Sequence, residues 1–478
     1  MDQLIYLSIF GFAAFALAMT VVFVIGGTIH LGSRSDDGFL LHFFGPMLLT
    51  LAVLTLTSGR DLAFPDEFLS GVAGPSGASK WIQRLTTAFL MAASIERIAA
   101  YVLGKHDPRK PQALMWGYIL FWVCSVAIPA AFGTRPVLSH EYIYSLLIGV
   151  AALLSSETAA ERAIKVARST LLLFMIASLA AIAYKKSLVL APYAGGIVPG
   201  FSLRYSGLAT GPNAMGPMAL VGMMALWCYP YRHRGLLYFA WAIAIVTLVL
   251  TQSKTSWLAT IACFGVLLAV RARGHVGSYL ADPRKRGTIL LLLGAVAAAI
   301  VLAMLLVTSG LLGAKIQKLL STKLGADLTS MTGRNEIWAL AIDEWRRNLL
   351  FGYGPTIWDP LYRFQMRSFA AFHAHNQVLN ILAASGLVGL FGFLVYFGTL
   401  VKRLLPRLTA YGGFPAALFV LLMIRAISEV PLNLQSFTTE SIFHMLLLMT
   451  IGGAAAAAPK PRALQSLQAQ HAPKARHV

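Results

Sequence analysis

Carboxylates are scarce in this chain. Against 39 lysines and arginines stand only 19 aspartates and glutamates, and all charged residues together make up 12% of the 478. An ordinary soluble domain carries about 25%, so a water-facing surface of normal composition is excluded. No Asp-x-Asp pattern occurs, which leaves few places for a hard divalent cation. Cysteine is almost absent as well. Cys124, Cys228 and Cys263 lie in or at the ends of apolar runs without any CxxC, so neither a disulfide framework nor a thiolate metal site is expected. An internal repeat of the kind that builds the paired halves of secondary transporters is also missing.

What fills the chain is apolar: 57% of the residues are hydrophobic and the mean hydropathy is +0.69. A membrane span needs roughly 20 mostly apolar residues. Thirteen runs qualify, near 4–29, 39–57, 81–103, 113–132, 140–154, 168–184, 213–230, 236–252, 256–271, 288–308, 377–401, 413–428 and 438–455. The fold class is therefore an all-α polytopic integral membrane protein of about 12–13 transmembrane helices. The first run lacks a basic leader and is too long for a cleaved signal peptide, so it is expected to remain as an anchor.

A net charge of +20 would suggest nucleic acid as the partner of a soluble protein. Here the charges fall between the runs, where they orient the chain, and no nucleic-acid partner is expected. Basic clusters at Lys105–Lys110, Arg162–Arg168, Arg232–Arg234, Arg271–Arg286, Lys402–Arg407 and from Lys460 onward all fall on one side, which reads as the cytoplasm. The opposite side receives 58–80, 133–139, 185–212, 253–255, 309–376 and 429–437, and parity places the N-terminus there too. The organisation is thus 1–200 N-terminal spans, 201–308 further spans, 309–376 one long outer loop, 377–455 C-terminal spans and 456–478 a basic tail.

Long loops inside compact proteins are usually functional or disordered, and the aromatics of 309–376 argue for order. Trp338, Ile342, Trp345 and Leu349 recur at helical spacing, which predicts an amphipathic helix at the membrane surface. Ile316, Leu319, Leu320 and Leu324 predict a shorter one upstream.

Four short patterns carry the candidate chemistry. Thr332-Gly333-Arg334 opens the tryptophan-striped helix, where an arginine can join free N–H groups around an anion or pair with Asp327 or Glu336. Phe351-Gly352-Tyr353-Gly354-Pro355 is a turn whose glycines permit positive φ and close backbone approach. His373-Ala374-His375-Asn376 precedes the span from Gln377. Its spacing points at most one histidine into a helix-lined site, and Asn376 suits a helix cap. Arg204-Tyr205-Ser206-Gly207-Leu208 with Gly211-Pro212-Asn213 precedes another span, and Lys254 sits at the tip of the Thr251–Ser256 hairpin. Basic residues on the outer side run against the orientation rule, so Arg204, Lys254 and Arg334 need another reason to be there.

Together with Gly386-Leu387-Val388-Gly389, these patterns, in this order over roughly 200–400, resemble the O-antigen ligase/polymerase family of bacterial cell-surface polysaccharide assembly. The first 200 residues match only as a set of spans. Within the family, the Thr-Gly-Arg and Gly-Tyr-Gly loop looks most like exopolysaccharide polymerases, with lipopolysaccharide ligases and protein-directed oligosaccharyltransferases as alternatives.

The resemblance implies a metal-independent glycosyltransferase without a cofactor, at the periplasmic face of the inner membrane. Its expected partners are a polyprenyl-diphosphate-linked glycan donor, a glycan or lipid A-core acceptor, membrane lipids and a chain-length regulator. Arg204, Arg334 and Lys254 would hold the diphosphate, since guanidinium forks suit phosphate. His375, with His373 in reserve, would activate the acceptor hydroxyl. Asn376, Tyr353, Arg425 and Glu429 would support them, Glu429 either orienting a basic residue or forming a structural ion pair with Arg425. A metal-dependent alternative would rest on Asp61, Asp66 and Glu67. A transporter of polysaccharide or lipid-linked sugar is the alternative of another class.

Overall fold

A computed structural model describes residues 37–58, 60–63, 77–103, 111–193, 202–281, 334–368, 371–436 and 438–456. Its helices follow the apolar runs: Asp37–Thr57, Gly77–Leu103, Gln112–Trp122 continuing to Phe132, Tyr142–Leu153, Glu157–Tyr184, Pro212–Cys228, Arg234–Thr251, Lys254–Ala281, Gln377–Leu404, Phe414–Ser428 and Thr439–Ala456. The outer loop adds Arg334–Arg347 and Pro360–Gln365. The runs near 4–29 and 288–308, the upstream loop helix with Ile316, Leu319, Leu320 and Leu324, the residues Asp66, Glu67, Asp327, Thr332 and Gly333, and the tail lie outside the described residues.

The protein is an all-α polytopic membrane protein. Seven helices among the described residues are long and apolar enough to cross a bilayer, fewer than the thirteen runs. The difference has a structural reason as well as the missing runs. Pro212–Cys228 and Tyr142–Leu153 are only 17 and 12 residues long and largely buried by neighbouring helices. An apolar run at the centre of a bundle need not have the length that lipid contact demands.

One span is interrupted by its own proline. Pro129 has no N–H to return to the carbonyl of Ser125 four residues back, and its ring crowds that carbonyl. The chain widens into a π-helical turn at Val123–Ala127. The Ser125 carbonyl accepts from Ser385 Oγ at 2.8 Å and Gln435 Nε2 at 3.2 Å, joining two membrane helices and the loop between the last two.

A second break lies in Gln377–Leu404, at Gly386 (φ 59°, ψ −156°). Broken backbone inside a membrane protein must find partners, and here the glycine turn of the outer loop supplies them. Tyr353 N and Gly354 N donate to Ala383 O and Ala384 O (2.8 and 3.0 Å), while Leu387 N and Val388 N donate to Leu349 O and Leu350 O (2.9 and 3.1 Å). A β-carbon on Gly386 would lie 2.4 Å from the Leu350 carbonyl, so only glycine fits.

The other side of the future site hangs on a feature absent from the sequence reading. Leu190–Pro192 and Leu203–Tyr205 pair as two antiparallel strands, with Arg204 opposite Ala191. The turn after them is clamped by Arg60, only 3% exposed. Its guanidinium donates to Leu188 O, Gly207 O and Ala209 O at 2.6–2.9 Å. Asp61 next to it accepts from Ala63 N and Ser187 Oγ and pairs with Lys185 at 3.3 Å, so this carboxylate holds a turn.

The striped loop helix is Arg334–Arg347, but its buried face is shifted by one residue from the expected stripe. Ile337, Ala341 and Glu344 are buried, Trp338 and Ile342 are half-buried, and Leu349 lies past the helix end and is half exposed. Glu344 on the inner face, paired with Arg347 at 3.0 Å, breaks the apolar pattern from which the stripe was drawn.

Candidate functional site

The polar centre forms around one carboxylate. Glu429 follows directly on Phe414–Ser428, with its backbone already extended, and is 4% exposed. His373 Nε2 and His375 Nδ1 both reach its Oε2 at 3.2 Å. Asn213 Nδ2 donates to its Oε1 at 3.0 Å. Arg334 Nη2 stands 3.7 Å from the same oxygen and Arg425 Nη2 3.9 Å.

Both histidines therefore enter the site, contrary to the expectation from their spacing. The reason is the backbone between them: His375 adopts φ +49°, which turns the chain back on itself. Its N–H donates to His373 Nδ1 at 3.1 Å, and the two rings lie 4.2 Å apart. Asn376 caps Gln377–Leu404, its Oδ1 accepting from Val378 N and Leu379 N at 3.0 and 3.1 Å. Its Nδ2 reaches Ile427 O at 3.4 Å, tying the histidine loop to the helix that ends before Glu429.

The electrostatics follow from this crowding. Burial alone would raise the Glu429 carboxyl, but the His375 hydrogen bond and the charge of Arg425 outweigh it and hold it down at about 2. Desolvation and the neighbouring His375 push His373 down to about 4, against the pull of Glu429. At neutral pH Glu429 is thus ionised and His373 neutral. His373 Nδ1 accepts a backbone N–H, so its proton resides on Nε2 and faces Glu429. His375 spends Nδ1 on Glu429, and its Nε2 has no hydrogen-bond partner among the described residues.

Arg204 joins the cluster through Asn213, whose Oδ1 accepts from Nη2 at 2.8 Å, while Nε donates to Thr251 O at 3.1 Å. Desolvation lowers the basicity of Arg204, and the charges of Glu429 and Arg334 are both felt there. Desolvation lowers Arg334 as well, Glu429 opposing it. Arg334 pairs with Glu429 rather than with Glu336, the described alternative, because Glu336 faces outward on its helix. Arg425 is chiefly held by Glu440, through Nη2 and through Nε at 3.1 Å, so its contact with Glu429 is the weaker one. The ion pair expected between Arg425 and Glu429 is present, and Glu440 adds a second, shorter one.

Lys254 starts its helix just past the Arg204-bound Thr251, half-buried, and makes no hydrogen bond or ion pair among the described residues. Tyr353 stands apart, its hydroxyl against Arg135 at 3.4 Å and its ring against Tyr362. Two participants escaped the sequence reading. Asn213 is visible in the sequence only as part of a motif, and Glu440 belongs to none of the four patterns. A signal was present for the latter: Glu429 and Glu440 are the only carboxylates after Asp359, and both meet Arg425.

The donor atoms of His373, His375 and Glu429 lie within 4.8 Å of one another, a set that zinc accepts elsewhere. The surroundings oppose a dication. Arg334, Arg425 and, through Asn213, Arg204 already crowd the same carboxylate with positive charge. That excess suits an anion.

Residues 239–394 match the family model described as O-Antigen ligase. No curated protein matches the chain. The matched stretch holds Arg334, both histidines and the Gly386 break, whereas Arg204, Asn213, Arg425 and Glu429 lie outside it and are brought to it by folding. Over that stretch, about a third of its length, the chain is similar to the O-antigen ligase family.

Proposed function

We propose that the protein is a glycosyltransferase that polymerises polyprenyl-diphosphate-linked oligosaccharide units at the periplasmic face of the bacterial inner membrane. One observation carries the reading: a histidine with one nitrogen held by an ionised carboxylate and the other without a partner among the described residues, set beside an excess of guanidinium charge. The acceptor hydroxyl donates its proton to His375 Nε2 as its oxygen attacks the anomeric carbon. The bond from that carbon to the diphosphate oxygen breaks, and the electron pair leaves with the lipid diphosphate. Arg204 and Arg334 take up the developing charge there, each with donors left over from its protein contacts. Glu429 keeps His375 in the required tautomer and stabilises the imidazolium that forms. His373, with both nitrogens occupied, is a scaffold for the pair. Lys254 extends the basic rim toward the diphosphate.

The periplasmic placement rests on the basic clusters, which gather on the other side of the spans. The polymerase reading rests on the glycine-rich loop, and transfer to lipid A-core is its rival. The polysaccharide profile of a deletion strain separates them. Single repeat units on lipid or acceptor are expected to persist. Polymer stranded on its lipid carrier beside a bare lipid A-core would instead mark a ligase, and an unchanged profile would remove both.

Purified protein acting on a polyprenyl-diphosphate glycan is expected to keep its activity in EDTA, since side chains supply the positive charge. Loss on chelation with recovery on Mg²⁺, Mn²⁺ or Zn²⁺ would return the His373–His375–Glu429 set to the metals.

A further inference from the structure

The residue between the two histidines has no side chain to offer, yet both its peptide groups are held. Ala374 is fully buried. Its N–H donates to Asn380 Oδ1 at 3.1 Å, and its carbonyl accepts from Trp338 Nε1 at 2.9 Å. The same Asn380 oxygen also accepts from Trp358 Nε1 at 2.9 Å. Asn380 is 2% exposed, so the amide is fixed from all sides.

This arrangement sits where the backbone is under strain. His375 at φ +49° and Trp358 at φ +73° are non-glycine residues in left-handed conformations. Such conformations are strained and persist only where surrounding contacts over-determine them. For His375 those contacts are at hand: its own N–H on His373, the cap at Asn376, and the peptide just before it held at both ends. Free of them, His375 would leave the left-handed region, and its imidazole would no longer be fixed beside that of His373 on Glu429.

Trp338 also lies one helical turn beyond Arg334 on Arg334–Arg347. One rigid element thus carries a guanidinium that meets Glu429 and an indole N–H that fixes the histidine loop on the same carboxylate.

We propose that Trp338 and Asn380 are positioning residues that act through the peptide groups of Ala374 to aim His375 at the acceptor, so that the helix bearing Arg334 also sets the direction of the base. The catalytic part of this rests on the glycosyltransferase reading above; the hold on the loop does not.

Trp338→Phe keeps an aromatic side chain but loses the indole N–H together with part of the ring volume. Trp345→Phe on the same helix is the matched control, because its indole N–H bonds Leu349 O at 3.2 Å, away from the histidines. Hydrogen exchange of the peptide containing Ala374 and His375 is expected to accelerate about 10-fold in Trp338→Phe and to stay unchanged in Trp345→Phe. With the producing strain's own lipid-linked glycan, Trp338→Phe should lower kcat by roughly 10- to 100-fold, the usual cost of a misplaced group, while undecaprenyl diphosphate binds as before. In a His375→Ala background the substitution should cost nothing more. Asn380→Asp, which keeps the accepting oxygen, should retain slow exchange where Asn380→Leu does not. Trp338→Phe and Trp345→Phe behaving alike in both exchange and kcat would overturn the proposal. Normal turnover in His375→Ala with fast exchange in Trp338→Phe would sink the glycosyltransferase mechanism and leave the hold on the loop standing.

Discussion

His375→Ala is expected to cut turnover by roughly 10²–10⁴-fold, the usual worth of general acid–base catalysis, while donor binding stays nearly intact. The imidazole engages one Glu429 oxygen through Nδ1, whereas Arg334 and Arg425 stand on the other oxygen, so the guanidiniums do not depend on it for their place. Removing it therefore takes away a proton acceptor without removing an anchor. Arg334→Lys should show the opposite balance. Charge is kept, but the two-pronged geometry is lost, so donor affinity and turnover fall together. His373→Ala is a useful third point, since it leaves His375 Nε2 in place but removes the acceptor of the His375 N–H. Size-exclusion profiles in detergent must match the parent before these rates are compared. A folded His375→Ala protein with polymer output near the parent's would end the case for this base.

Arg60→Leu is expected to be among the most damaging single changes to stability, although Arg60 touches nothing in the site. Three buried carbonyls, those of Leu188, Gly207 and Ala209, lose their donor together. Unsatisfied buried groups cost about 1–3 kcal/mol each, and breaking a buried charged contact about 3–5 kcal/mol in all. Burial pushes the guanidinium down only to about 10, so it enters the fold charged. Lysine has one ammonium for carbonyls that now engage three separate nitrogens, and should restore only part of the loss. Chemical denaturation in detergent measures this directly. A midpoint within about 1 kcal/mol of the parent would show that the clamp is dispensable.

Helices were legible because a membrane span is written in composition, and the runs at 377–401 and 413–428 reappear almost to the residue as Gln377–Leu404 and Phe414–Ser428. Arg204, Lys254 and Arg334 stand out in the sequence for a different reason, as basic residues in segments that the orientation rule assigns to the opposite side from the basic clusters, and His375 stands out through its motif with Asn376. What stayed hidden depends on distance through space. Nothing local to Asn213 says that its amide bridges Arg204 to Glu429 across more than 200 residues, and nothing local to Ala374 says that its peptide is held by Trp338 and Asn380. The left-handed backbone of His375 is likewise a tertiary result, which is why spacing alone sent the two imidazoles apart. Arg60 was invisible because a buried arginine bonded to carbonyls leaves no complementary acid to find.

Pro129 gives the bundle a change of phase. A π turn inserts part of an extra residue into the helical count, so residues on either side of Val123–Ala127 no longer share one angular register. The face that Phe121 and Tyr118 bury is not the face that Phe132 continues; Phe132 is 62% exposed and meets Phe351 of the outer loop. A single span thereby addresses two audiences, packing into the bundle with its first half and reaching toward the loop with its last turn. A straight helix of the same length would have to choose between them.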